Sequence, residues 1–329
     1  TQAALNDGID PVAYAANYGL NLKAERGVGI TAWNPIAKRY ENYTVNGRYD
    51  GYINSKRSMV CSDTDWIGEI SRVGFSRNYN VALSSATEKT TSMFSLGYKK
   101  NDGILKYTDF QSIAARLNNS YQINKMVKVG ENFTLSYNKQ VDSAPMENAL
   151  KMSPTVPVYE KDGLTFAGPV GGMSDRQNPL RELYHNKDNH LDFWKLFGNA
   201  YVEVTPLKDL LFRSNFGLDY TTSFINALTH TYASDIVNNN VAKTDLGQTN
   251  NTNYTWSNTL NYLFDFQKNH HFNVLLGSEI NKQSLVDFHA LSEGYALETK
   301  HYMWPNAATG AARNTGAKVG YRLASFFGK

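Results

Sequence analysis

In residues 210–220, LLFRSNFGLDY, the even positions are Leu210, Phe212, Ser214, Phe216, Leu218 and Tyr220, while the odd ones from 213 are Arg213, Asn215, Gly217 and Asp219. A helix would put Leu211, Ser214, Asn215 and Leu218 on the face that ought to be apolar, so a helix does not fit. Period two predicts a strand with one oily and one wet face. The pattern recurs along the chain. Tyr79, Val81 and Leu83 alternate with polar or small residues, as do Phe94, Leu96 and Tyr98, then Ile113, Ala115, Leu117 and Tyr121. Val127, Val129, Phe133, Leu135 and Tyr137 follow, then Tyr254, Trp256, Leu260, Tyr262 and Phe264, then Phe272, Val274, Leu276 and Ile280. Two faults stand out, Glu131 and Asn258 on oily faces. Segment 191–205 is only partly regular, since Phe193, Phe197 and Tyr201 share a face with Lys195 and Glu203.

The connections between these strands alternate in length. TEKT (87–90), NKM (124–126), PLKD (206–209) and QKNHH (267–271) are short. Between them lie longer stretches: 100–109, about fifty residues from 140 to 191, a polar loop over 226–250, and 289–317. A soluble sandwich has no reason to gather its long loops at one end. A bacterial outer-membrane barrel does, with tight periplasmic turns and long extracellular loops. Strands near ten residues or more also suit a tilted bilayer crossing. The expected fold is therefore all-β, part of a large transmembrane antiparallel barrel with about nine strands present. Its oily face meets lipid.

Composition changes this picture little. A mean hydropathy of −0.47 suits a barrel whose lumen keeps about half the strand positions polar. No run of 18 apolar residues marks a transmembrane helix. A net charge of +3 gives no strong field for nucleic acid. Cys61 is the only cysteine, which excludes an internal disulfide. The opening TQAALNDGID has no charged start and no apolar segment, so no signal peptide is expected in it. The 21 tyrosines and 5 tryptophans suit lipid–water boundaries and polar ligands alike. Tyr98, Tyr137, Trp194, Tyr220, Tyr254 and Trp256, near strand ends, read as a membrane girdle.

One block carries more than periodicity. NYNVALSSATEKTTSMFSLGYKKNDGILKYTDFQSIAARLN (78–118), preceded by TDWIGEI (64–70), resembles the SusC/RagA-like family of TonB-dependent outer-membrane transporters of Bacteroidetes. Similar phrasing appears at 197–220 and in YRLASFFGK (321–329). The resemblance implies a barrel of about 22 strands closed over an N-terminal plug. It also implies a SusD-like surface lipoprotein as lid and TonB as energy coupler. On this reading residues 1–75 are an extracellular loop region and 76–329 the N-terminal part of the barrel. The plug and the remaining strands are expected outside this sequence.

No catalytic constellation is found. GFSRN (74–78) lacks the last glycine and the strand–turn–helix setting of a nucleophile elbow. GVG (27–29) lacks the setting of a phosphate loop. His270 and His271 share a turn without metal-ligand spacing, and Asp235 and Asp245 lack that of a calcium loop. The expectation is a non-enzyme without cofactor or metal.

In SDTDWIGEISR (62–72), Thr64 or Asp65 can cap a short helix that buries Trp66 and Ile70. Trp33, Tyr40, Tyr43, Tyr49 and Tyr52 cluster in a loop among polar neighbours. Rings of this kind stack on sugars or peptide side chains, and equally pack a loop or touch a lid. The substrate- or partner-contacting candidates are Trp33, Tyr40, Trp66, Tyr159, Tyr184 and Trp304. The expected function is TonB-coupled import of oligosaccharides or oligopeptides, and the sequence leaves the choice between them open. The rival readings are a passive porin or structural barrel, and a soluble β-rich glycan-binding module.

Overall fold

The computed structural model describes residues 64–154, 156–159, 163–169, 175–234, 237–267 and 270–329, together with the backbone of four short strands among the first 63. Those strands form two small antiparallel pairs, Leu20–Asn21 with Ile53–Asn54 and Gly29–Asn34 with Arg39–Thr44.

Nine further strands form one sheet in strict chain order. They are β1 (Ser76–Ala86), β2 (Thr90–Asp102), β3 (Asp109–Gln122), β4 (Val127–Val141), β5 (His190–Leu207), β6 (Leu210–Thr229), β7 (Lys243–Phe266), β8 (His270–Glu293) and β9 (Ala312–Gly328). Every neighbouring pair is antiparallel. In such a meander alternate connections lie at the same end. The turns after β1, β3, β5 and β7 therefore share one end, and the longer connections after β2, β4, β6 and β8 share the other.

The short turns are built from local chemistry. Thr87 Oγ1 accepts from the backbone N–H of Thr90 at 3.0 Å, and Asn124 Oδ1 from those of Met126 and Val127 at 2.8 and 3.0 Å. Asp209 turns the chain at φ 66°, a left-handed conformation that aspartate tolerates.

Residues paired across antiparallel strands share a face, so the register sorts the side chains. Tyr79, Tyr98, Ile113, Tyr137 and Trp194 form one row across β1 to β5. Ala200, Phe216, Trp256, Ile280 and Ala324 form another across β5 to β9 on the same face. Tyr79 stacks on Tyr98 at 6.4 Å, and Tyr137 meets Trp194 at 4.9 Å. This is the oily face, and it stands open: Phe216 is 46% exposed and Trp256 47%. Among the described residues, the buried apolar clusters lie beyond the loop end of the sheet or at its rim.

The faults in the alternation sit among polar neighbours. Asn119 Nδ2 donates to Glu131 Oε1 at 2.6 Å, and Ser92 Oγ donates to Asn119 Oδ1, so three polar side chains satisfy one another across β2, β3 and β4. Asn258 stands opposite Ser214, whose hydroxyl accepts from Trp256 Nε1 at 3.0 Å.

Register settles the irregular β5, and two expectations need correction. In β5 the oily face is the even one, Trp194, Leu196, Ala200, Val202 and Val204, because Phe216 pairs with Ala200. Phe193, Phe197 and Tyr201 sit on the polar face, where Arg213 packs over Tyr201 at 4.5 Å and binds Glu203 at 3.2 Å. The polar stretch at 226–250 is not one loop. β6 runs on to Thr229, a small hairpin pairs Tyr232–Ser234 with Val237–Asn239, and β7 begins at Lys243. Likewise β8 runs to Glu293 and β9 starts at Ala312, inside the stretch read as loop over 289–317. Ladder hydrogen bonds continue there although neither face alternates, because both are wet.

Candidate functional site

The four longer connections knit into a cap. Helix α1 (Trp66–Ile70) precedes β1, and Asp65 caps it by accepting from Gly68 N–H at 3.0 Å. Arg72 fastens this segment to the 103–108 connection, donating to Gly103 O at 3.0 Å and Thr108 O at 2.7 Å. The 142–189 connection carries α2 (Met146–Lys151) and α3 (Pro179–Asn186). Asn178 caps α3, with Pro179 at the helix start, where its missing N–H costs nothing. Trp66, Ile70, Met152, Val158, Leu180 and Leu183 close a core between the three helices. Ile70 and Leu183 are almost wholly enclosed, each contributing about 1.5–3 kcal/mol of apolar burial.

Trp66 is 3% exposed and donates its Nε1 to Ser153 O at 3.0 Å, so it holds the cap together and offers no free ring to a ligand. Tyr159 and Tyr184 come together through Phe166, at centroid distances of 5.1 and 5.6 Å. Tyr107 adds its edge to Tyr184 at 5.9 Å from a backbone at φ 65°, a conformation costing about 1–2 kcal/mol. Lys187 Nζ lies 3.5 Å over the Tyr184 ring. Trp304 stands apart, half exposed beside Tyr302 in the 294–311 connection. Met303 between them is buried against Leu228, Ala242 and Tyr295 and turns its neighbours outward. The side chains of Trp33 and Tyr40, like Tyr43, Tyr49 and Tyr52, lie outside the described residues.

A second cluster ties three connections together. The His185 and His230 rings are 4.9 Å apart, and His230 Nδ1 lies 3.5 Å from Glu298 Oε2. Glu298 also accepts from Thr231 N–H at 2.6 Å, while Lys300 pairs with Asp188 at 3.2 Å. The Arg181 guanidinium sits 3.4 Å over the Tyr232 ring. Burial holds the Arg181 pKa below its ordinary value. Burial, then the neighbouring His230 and Arg181, push His185 down to about 4. None of this cluster was read from the sequence; His185 and His230 are too far apart in sequence for any motif to join them.

Below the cap, the polar face of the sheet forms ladders of amides and charges. Asn199 Nδ2 donates to Asn215 Oδ1 at 2.5 Å, Asn281 Nδ2 to Thr255 Oγ1 at 2.9 Å, and Lys195 pairs with Asp219 at 3.2 Å. At the rim, Gln140, Asp142, Asn186, Asn189 and Asn226 line a cavity of about 340 Å³ floored by Leu191 and Ile225. The Asn226 Oδ1 is buried without a hydrogen-bond partner. Amides and Asp142 beside apolar side chains offer hydrogen bonds to a polyhydroxylated or amide-bearing chain.

A one-sided antiparallel meander, oily on one face and ladder-polar on the other, with tight turns at one end and a loop cap at the other, is the wall of a large β-barrel. Comparison with known proteins agrees. No family model matches the chain. The TonB-dependent receptor P26 of Formosa agariphila is 26% identical over 261 residues, covering 77% of this chain and 26% of that protein. The TonB-dependent receptor SusC of Bacteroides thetaiotaomicron is 26% identical over 225 residues, covering 58% of this chain and 22% of SusC. The solved structure of the RagAB peptide transporter superposes with a TM-score of 0.68 at 18% identity, over 81% of this chain and 31% of that one. The chain thus spans about a quarter of the curated relatives it matches. The resemblance is borne out: the chain is similar in sequence to TonB-dependent receptors, SusC among them, and its nine-strand sheet shares the fold of part of the RagAB transporter.

Proposed function

We propose that the chain forms nine consecutive strands in the N-terminal part of the barrel of an outer-membrane importer, which takes up oligosaccharides or oligopeptides with energy from TonB. Residues 76–329 would be barrel wall and 1–75 part of its extracellular surface. A SusD-like lipoprotein would close over the cap, and the exposed rings of Tyr184 and Trp304 are the candidate contacts for it or for substrate. One observation carries the reading. A nine-strand sheet exposes an oily face that nothing in the described chain covers, while its buried apolar clusters sit in the loop cap and at its rim. Lipid covers such a face at no cost. An open sheet edge in lipid would leave backbone groups unpaired, so further strands must close the barrel. No bond is made or broken, and substrate meets an amide-lined polar face.

The test is uptake by cells carrying the intact protein. Deleting it should abolish growth on one oligomeric nutrient but not on its monomer, and deleting TonB should do the same. Uptake that persists without TonB would establish a passive porin instead. Recovery of the intact protein in the soluble fraction would overturn the membrane reading altogether.

A further inference from the structure

The oily face carries a cationic patch that neither lipid tails nor any described residue satisfies. On β8 and β9 three consecutive outward pairs are Lys282 with Arg322, Ser284 with Gly320, and Val286 with Lys318. Three cations thus border a spot where Gly320 has no side chain and the Ser284 hydroxyl stands opposite it. A Cβ at Gly320 would come within 2.5 Å of Gln283 O, so close strand approach keeps that notch open. Among the described residues no carboxylate answers these charges from the same face: on β8, Glu279 and Asp287 have odd numbers and stand on the polar side. The contrast is Arg77, also outward and near the loop end, which Asp102 neutralises at 2.8 Å.

The height of the patch narrows its partner. Below it on β8 the outward column is Phe272, Val274, Leu276, Ser278 and Ile280, and beside it Lys282 Nζ lies 5.6 Å from the Tyr254 ring. At about 3.3 Å per residue and a barrel tilt near 40°, Lys282 stands roughly 30 Å above the turn end. That is the upper edge of an apolar band about 25 Å tall. Cations at this level meet lipid headgroups, and several cations with a hydroxyl around a side-chain-free notch suit a phosphate's oxygens.

We propose that Lys282, Lys318, Arg322 and Ser284 form a binding site for the phosphate of an outer-leaflet lipid. The inference rests on the membrane reading above. The probe is lipid A, compared with its chemically dephosphorylated form, added to the delipidated intact protein in detergent and followed by native mass spectrometry. The phosphorylated lipid should bind about tenfold tighter or better, salt should weaken it, and excess inorganic phosphate should not displace it. The K282Q/K318Q/R322Q variant should lose the preference while keeping its heat-modifiable gel mobility. Should that variant fail to fold, the preference of the wild-type protein decides alone. Equal binding of both lipid forms, or an unchanged preference in the folded variant, overturns the site. Displacement by inorganic phosphate would make it a general anion site and overturn the lipid assignment. A protein absent from the outer membrane would instead overturn the preceding reading.

Discussion

Asn178 donates to the carbonyl oxygen of Val158 at 2.8 Å while its own Oδ1 caps α3, so one buried amide joins two ends of the same connection. Its Nδ2 also reaches Ala167 O at 2.9 Å, and Oδ1 accepts from Leu180 and Arg181 N–H at 3.0 and 3.1 Å. All four bonds are buried, and Asn178 is 0% exposed. Asn178→Ala leaves several backbone groups unpaired and should destabilise the cap by about 3 kcal/mol. Limited proteolysis should then cut within 142–189, while heat-modifiable mobility stays unchanged. Unaltered protection would mean that the amide does not hold the loop.

Phe216 and Asn215 test the two faces. Phe216 stacks on Tyr254 at 5.9 Å on the oily face, and Asn215 joins the amide ladder on the other. Phe216→Arg should cost about 2–4 kcal/mol in lipid and Asn215→Arg little. Refolding from urea into lipid measures both. Similar costs at the two positions would sink the assignment of faces.

Why some of this was legible and some not follows from where each signal arises. Alternation is written wherever one face meets lipid and the other water, so β1 to β4 and the lower parts of β6 to β8 could be placed from residues alone. It fades where both faces are wet. Thr221, Thr222 and Ser223 pair with Asn251, Asn250 and Thr249 in a continuous ladder that has no periodic signature. β5 alternates only in part because Phe193, Phe197 and Tyr201 share its polar face with Lys195 and Glu203, while its oily face, paired with that of Phe216, carries the small Gly198 and Ala200. The burial of Trp66 was legible in its capped helix, but whether its ring also met a ligand was not, because sequence does not show what encloses a ring. The cap's joints, such as Arg181 with Tyr232, link residues fifty apart and carry no local trace.

The two ends of the sheet should differ in access. Lys89 lies in the turn between β1 and β2, and Tyr302, 58% exposed, lies in the opposite cap. In a Cys61→Ser background, Tyr302→Cys should react with an impermeant thiol reagent on intact cells and Lys89→Cys should not. Permeabilised cells should label both. Reaction at position 89 without permeabilisation would reverse the topology.

Acid should loosen the cap through His185. Its ring is enclosed against His230, with Arg181 and Lys187 close by, and only Glu298 among the charged neighbours favours its protonation. The folded pKa, about 4, lies below the ordinary 6.5. Depression of a histidine means that the folded cap resists a proton which the opened loop accepts. The contribution to stability is therefore complete above pH 6.5 and is lost as pH falls from there toward 4. Hydrogen exchange in α3 and in the 230–242 connection, corrected for the intrinsic pH dependence, should accelerate between pH 7 and pH 5. His185→Phe keeps the ring packing against Phe166 and His230 without a titrating group, and should flatten that response. A variant that loosens over the same range as the wild type would assign the effect to another group, with Glu298 and its bonds to Thr231 the first to examine.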